Sequence, residues 1–243
     1  MQIRKHIPNS ITALNLLCGS VGTVLALQGN PRAAFIFMIL GGIADFCDGF
    51  AARLLKAGSP IGKELDSLAD QVTFGLLPSV LLFGLISDKG QWWCWTPLLI
   101  AVFSGLRLAK FNLDERQTSS FLGLPTPACA LVCGGAACFV ASTGAESGQF
   151  AQSIAGFLGN PATVCCASIL LSLLLVSEIP MFSMKIHKGD SIGCPRICFA
   201  ICAAAGLAAT AILGFNWSFA ITFAFTAYII INIADALWQR KRH

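Results

Sequence analysis

The sequence predicts an all-α fold, a polytopic transmembrane helix bundle of about eight spans with both termini cytoplasmic. Three observations predict it. Of 243 residues, 56% are hydrophobic and only 12% charged, and the mean hydropathy is +0.74, a balance foreign to soluble globular domains of this size. Apolar runs near the bilayer-crossing length of about 20 residues recur from end to end. The basic residues fall in alternate connections, as they do in chains threaded back and forth through a membrane. Residues 1–243 therefore read as one integral-membrane domain without a soluble insert. A net charge of +4, spread over short loops and chain ends, gives no nucleic-acid surface.

The first span, Ile11–Leu27, follows Arg4 and Lys5 like the apolar core of a signal peptide. A turn, Gln28-Gly29-Asn30-Pro31, stands where a small-residue cleavage site is needed, so the span is retained. Ala33–Leu55 is the second span, closed by Gly58-Ser59-Pro60, and Gly62–Ile86 is the third. The fourth, Trp92–Leu108, opens on Trp92, Trp93 and Trp95, residues suited to the membrane interface. The fifth, Leu124–Thr143, is entered through Pro125 and Pro127, which predict a kink. The polar stretch Ser142–Gln152 reads as a loop. Pro161–Met181 is the sixth span, Ile197–Leu213 the seventh and Trp217–Trp238 the eighth. Residues 1–182 form a six-span core and 183–243 add two spans. Most of the 11 cysteines lie inside apolar runs without histidine partners, where they pack as small hydrophobes.

With the N-terminus inside, all of the 16 Lys and Arg residues except Arg32 and Lys89 face the cytoplasm or flank spans there. That bias supports an even number of spans.

Inside this apolar chain sit four acids. Asp45 and Asp48 are three apart on the second span, and Asp66 and Asp70 are four apart on the third, so each pair shares a helix face. The short connection from Lys56 to Ile61 predicts an antiparallel hairpin, which brings Asp45 level with Asp70 and Asp48 level with Asp66. Charged groups at membrane depth are expensive and mark function. Carboxylates this close do not all stay ionised without cations, and an all-oxygen ligand set suits Mg²⁺, Mn²⁺ or Ca²⁺. Two such ions with bridging carboxylates form a phosphoryl-transfer site. Gly49 and Ala52 clear the helix surface for a bulky ligand, Gly62 opens the third span where free N–H groups favour phosphate, and Arg53 can reach a phosphate oxygen. Two other readings are open: an acid cluster neutralised by Arg53, Lys56 and Lys63 that fixes helix pairing, and an ion or proton pathway. No chain of ionisable groups leads from the acids to the other side.

These residues spell Asp45-x₂-Asp48-Gly49-x₂-Ala52-Arg53-x₈-Gly62-x₃-Asp66-x₃-Asp70. The pattern resembles the signature of the CDP-alcohol phosphatidyltransferase family at every fixed position. That resemblance implies a transmembrane bundle, usually a homodimer, and dependence on divalent cations (Mg²⁺ or Mn²⁺, two of them). It also implies roles: Asp45, Asp48 and Asp66 for metal, Asp70 as base and secondary ligand, and Gly49, Ala52, Arg53 and Gly62 for the nucleotide. Three further stretches resemble the membrane-embedded members that use L-serine. They are Pro8-Asn9-Ser10-Ile11-Thr12-Ala13-Leu14-Asn15-Leu16-Leu17-Cys18-Gly19, Arg107-Leu108-Ala109-Lys110-Phe111-Asn112, and Phe121-Leu122-Gly123-Leu124-Pro125-Thr126-Pro127-Ala128. Lys110 stands where that subgroup often carries Arg, which keeps the charge and loses the planar fork.

The resemblance implies transfer of the phosphatidyl group of CDP-diacylglycerol to L-serine in a bacterial cytoplasmic membrane, with the site facing the cytoplasm. Arg107 or Lys110, with Asn112, is then expected to bind the serine carboxylate; the same bases also serve inside-positive topology. Thr12 and Asn15 share a face of the first span and are expected to line the nucleotide pocket. Glycerol 3-phosphate or an inositol phosphate as acceptor, and cation transport outside the class, are the rival readings.

Overall fold

The computed structural model describes residues 3–57, 59–87, 91–113, 121–182 and 193–240. Arg116, Lys185 and Lys188, counted above among the inside bases, and Lys89, counted outside, lie beyond the described residues, as do Lys241 and Arg242. Helices dominate: α1 (Ile3–Leu27), α2 (Pro31–Leu54), α3 (Pro60–Asp70), α4 (Leu77–Ile86), α5 (Leu99–Leu113), α6 (Thr126–Ser142), α7 (Gln149–Leu158), α8 (Pro161–Leu175), α9 (Cys194–Leu213) and α10 (Ser218–Arg240). The protein is a polytopic all-α bundle. Six helical bodies among the described residues are long and apolar enough to cross a bilayer. Counting the α7–α8 pair, bent by 57°, as one more gives seven, and Thr126–Ser142 is apolar but shorter.

Local chemistry sets the helix starts. Asn30 and Ser59 cap α2 and α3 by accepting from the Ala33 and Gly62 amides, and each is followed by Pro at N1, where a missing N–H costs nothing. α3 and α4 are one rod joined by a π-turn, Gln71–Leu76, in which the Leu77 N–H donates to the Val72 carbonyl five residues back. Pro78 cannot donate to the Phe74 carbonyl as the α pattern requires, and the rod widens just before it.

α1 is the central strut. It packs along α2, along α3, and along α4 beyond the π-turn. α2 and α3 each pack more closely on α1 than on one another, and α2 rejoins the rod from the π-turn onward. The hairpin expected from the short connection is thus splayed beside that connection, and α1 floors the gap. At Gly19 the backbones come close: a Cβ there would lie 2.8 Å from the Thr73 Cα and 2.9 Å from its N.

Two apolar cores hold the rest. Phe35, Met38, Leu77 and Leu81 pack with Ala130 and Ala137 of α6, and Ile86, Ile100, Leu124, Leu175, Met181 and Tyr228 form the other.

The fifth and sixth spans are shorter than the hydropathy suggests. α6 starts at Thr126 and α8 stops at Leu175, and the flanking segments form a two-stranded antiparallel ladder, β1 (Phe121–Leu122) with β2 (Pro180–Met181). At the opposite end, the expected Ser142–Gln152 loop is shorter too. α7 begins at Gln149, and the Gln152 amide binds the Gly144, Ala145 and Ser147 carbonyls of the turn before it. Asp235 accepts from Gln239 at 2.8 Å.

Candidate functional site

The gap between α2 and α3 is a pocket of about 240 Å³. Its floor is Pro8, Asn9 and Thr12 of α1. One wall is Asp48, Gly49 and Ala52 of α2, and the other is Ser59, Gly62, Lys63 and Asp66 at the start of α3, with Ala57 closing the end. Of the six residues expected to meet a nucleotide, Thr12, Gly49, Ala52 and Gly62 are here. Arg53 is exposed beyond the rim, and Asn15 lies deeper, fully buried.

The two glycines serve different ends. A Cβ at Gly49 would meet no heavy atom within 4 Å, so the space beside it belongs to the pocket. A Cβ at Gly62 would sit 2.9 Å from Asn9 Oδ1 and 3.0 Å from Ser59 Oγ, so that glycine closes the seam between α1 and α3. The Gly62 N–H, expected to be free for phosphate, is taken by Ser59 Oγ at 3.1 Å.

Asp45, Asp48 and Asp66 each bring a carboxylate oxygen within 4.8 Å of the other two. The Asp45 and Asp66 carboxyl groups touch through a hydrogen bond, and the Thr12 hydroxyl reaches Asp48. Asp48 is 6% exposed. Asp48 Oδ2 and Asp66 Oδ1 are buried and receive no hydrogen bond. Buried polar atoms in folded proteins have partners. A hard divalent cation among the three carboxylates would give those two oxygens a partner, so the donor set fits an oxygen-ligated metal and disfavours a soft one.

Asp70 stands one turn further along α3, outside that group of three. Asn15 Nδ2 donates to its Oδ1 at 3.2 Å, and Thr73 Oγ1 donates to the Asn15 carbonyl at 3.1 Å. The π-turn therefore begins at the residue after Asp70 and turns Thr73 onto α1, which fixes Asn15 and through it Asp70. π-turns inside helices concentrate at functional positions.

On the far side of Asp70 is Arg107 of α5. It is 8% exposed, its Nη1 donates to Thr126 Oγ1 at 3.0 Å, and its guanidinium lies 5.9 Å from the Phe111 ring centroid. It feels the Asp70 charge, and its Nε is buried without a hydrogen bond. Lys110 is exposed on the outside of α5. Asn112 is tied to α3: its Nδ2 donates to Ser67 Oγ at 2.9 Å, and Lys63 Nζ donates to its carbonyl at 3.2 Å. The structure thus brings Arg107 and Asn112 onto the α3 side of the site and leaves Lys110 apart.

Sequence reasoning overlooked Asn9, Ser59 and Lys63 as pocket residues. Asn9 had a signal: with Thr12 and Asn15 it makes a row of polar residues at three-residue spacing along an otherwise apolar helix, hence one face. Lys63 had none, because a base at a span end reads as topology.

A family model described as CDP-alcohol phosphatidyltransferase matches residues 5–187. The chain is 32% identical over 188 residues to the CDP-diacylglycerol–serine O-phosphatidyltransferase of Bacillus subtilis (strain 168), covering 77% of this chain and 96% of that protein. To the protein of the same description from Mycobacterium leprae (strain TN) it is 34% identical over 186 residues, 73% of this chain and 58% of the relative. To the archaetidylserine synthase of Methanothermobacter thermautotrophicus it is 33% identical over 129 residues, 51% and 54% of the two chains.

Proposed function

The chain belongs to the CDP-alcohol phosphatidyltransferase family, and we propose that within it the enzyme transfers the phosphatidyl group of CDP-diacylglycerol to the hydroxyl of L-serine, releasing CMP. The observation that carries this reading is the carboxylate triad Asp45, Asp48 and Asp66, two of which line the pocket from opposite walls, Asp48 on α2 and Asp66 on the capped first turns of α3. The serine-using relatives supply the acceptor.

In this reading the acyl chains stay in lipid while the CDP part enters between α2 and α3. Gly49 and Ala52 leave room for it, Thr12 and Lys63 offer donors, and Arg53 reaches in from the rim. Asp45, Asp48 and Asp66 hold Mg²⁺ or Mn²⁺, two ions in all, with Asp70 a secondary ligand. When bound, such ions neutralise the diphosphate and the charge growing on the leaving CMP phosphate. Asn15 holds one oxygen of Asp70 and leaves the other for the serine hydroxyl. Asp70 takes that proton as the serine oxygen forms its bond to phosphorus and the bond from phosphorus to the CMP oxygen breaks. Arg107, buried beside Asp70, pairs with the serine carboxylate, and Asn112 steadies α5 against α3.

The same reading makes residues 1–182 the catalytic core, with 183–243 as two added spans. The protein is a homodimer in a bacterial cytoplasmic membrane, with both termini and the site on the inner side. Supporting it, the pocket lies at the N-terminal end of α1 and within about 9–14 Å of the C-terminal end of α2, from Leu54 back to Asp48 and Asp45.

The test is CMP release by purified protein in detergent with CDP-diacylglycerol, Mn²⁺ or Mg²⁺, and labelled serine, glycerol 3-phosphate or an inositol phosphate in turn. Release with serine alone is expected. Release with a phosphorylated acceptor instead would overturn the serine assignment, and none with any acceptor would return the acids to a transport role.

A further inference from the structure

The two C-terminal spans have no part in the chemistry described so far, yet α10 makes the most specific side-chain contacts outside the site. Tyr228 and Asn232, 1% and 2% exposed, both grip one residue. Asn232 Oδ1 accepts from the Phe182 N–H at 2.7 Å, and the Tyr228 hydroxyl donates to the Phe182 carbonyl at 2.9 Å. Asn232 Nδ2 is spent on the Tyr228 carbonyl at 2.8 Å. Aromatic packing adds to the grip: the Phe182 ring meets Tyr228 edge-on at 4.9 Å and Phe199 of α9 at 6.2 Å.

Depth gives this clasp its meaning. Tyr228 and Asn232 lie about 15 and 21 Å along α10 from its first residue, near the middle of the span. Phe182 is irregular backbone at that level, and such backbone is tolerated in a membrane only where protein satisfies its polar groups. Both groups of Phe182 are satisfied by α10. Next to Phe182 is β2, paired with β1 through Met181–Phe121 and Pro180–Leu122. Beyond β1, the Gly123 N–H donates to the Ile179 carbonyl and the Leu124 N–H to the Leu174 carbonyl, each at 2.9 Å. Gly123 turns here with φ +78°, and a Cβ on it would lie 2.7 Å from the Leu175 and Ser177 carbonyls. Three residues on is Thr126, whose hydroxyl holds the Arg107 guanidinium. Tyr228 is also near enough to Arg107 to feel its charge.

We infer that α9 and α10 are a working part of the acceptor side: Tyr228 and Asn232 fix the Phe182 main chain, and through the paired strands they fix Thr126 and the aim of Arg107. They are positioning residues, and the inference rests on the reading of Arg107 as the partner of the acceptor's negative group.

The experiment compares Tyr228→Phe and Asn232→Ala with wild type and with Ile230→Ala, a control on the exposed side of α10 (61% exposed). KM is measured separately for the acceptor and for CDP-diacylglycerol. Loss of one hydrogen bond in the relay is expected to raise the acceptor KM about three- to tenfold, with the CDP-lipid KM and the Ile230→Ala enzyme unchanged. A purely structural clasp predicts otherwise: both KM values rise together or neither moves, and either result overturns the inference. Should the wild type use glycerol 3-phosphate or an inositol phosphate, the serine reading fails, and the same split measured with that acceptor still decides the relay. Should it use no acceptor, hydrogen exchange decides it: faster exchange at Gly123 and Leu124 in Tyr228→Phe supports the coupling, and unchanged exchange refutes it.

Discussion

Replacing Gly49 with alanine separates the pocket from the protein that builds it. In the interior of α2, Gly→Ala gains roughly 0.5–1 kcal/mol of helix stability. The new methyl costs the folded protein nothing in packing, since its Cβ would find no heavy atom within 4 Å. Stability of Gly49→Ala should therefore equal or exceed wild type. The methyl points into the pocket of about 240 Å³ that Gly49 shares with Asp48 and Asp66. With the CDP group seated, it becomes an overpacked contact costing about 1–3 kcal/mol. At 1.4 kcal/mol per decade, the apparent affinity for CDP-diacylglycerol should fall roughly 5- to 150-fold. Gly62→Ala is the counterpart, because its Cβ would press on Asn9 and Ser59 at 2.9 and 3.0 Å, so it should lower stability first. The assays are thermal unfolding in detergent and CMP release against CDP-lipid concentration. Wild-type kinetics for a folded Gly49→Ala protein would remove the nucleotide from this pocket, and a lower melting temperature would make Gly49 a packing residue.

Three other substitutions probe the remaining assignments. Asp70→Asn should lower kcat by about 10²–10⁴-fold, the worth of general-base help, while Mn²⁺ binding persists; near-wild-type turnover would refute the base role. Arg107→Ala should raise the serine KM well above any change in the CDP-lipid KM, and equal changes in steady-state titrations would return Arg107 to topology and packing. Gly19→Ala should yield little folded protein by size-exclusion chromatography, because its Cβ would lie 2.8 Å from the Thr73 Cα, and main chain on neither side can yield; a monodisperse, active Gly19→Ala would show that α1 and the π-turn can separate.

The acids were legible in the sequence because a charge in an apolar run has few structural excuses, and because helical spacing fixes which acids share a face. That places Asp45 with Asp48, and Asp66 with Asp70, without any tertiary knowledge. The splay of α2 from α3 was not legible. It depends on α1 lying between them, which no connection length encodes, and it is why Asp66 joins Asp45 and Asp48 while Asp70 turns to Asn15. The π-turn carried only a faint mark, Pro78, which reads equally well as a proline in an ordinary span. The shortened α6 and α8 were hidden for a different reason. Hydropathy sees apolar side chains and not backbone hydrogen bonds, so it runs the sixth span straight through β2 and starts the fifth just past β1. Beside that ladder the Phe182 backbone is satisfied by Tyr228 and Asn232, some fifty residues later, which no local pattern announces.

The central claim is that Asp45, Asp48 and Asp66 form the cation site and that Asp70 is chiefly outside it. Equilibrium Mn²⁺ binding to purified protein, followed by electron paramagnetic resonance, tests it without turnover. Saturable binding is expected in wild type, largely kept in Asp70→Asn, and lost in Asp66→Asn protein that remains folded. Undiminished Mn²⁺ binding by folded Asp66→Asn would contradict it.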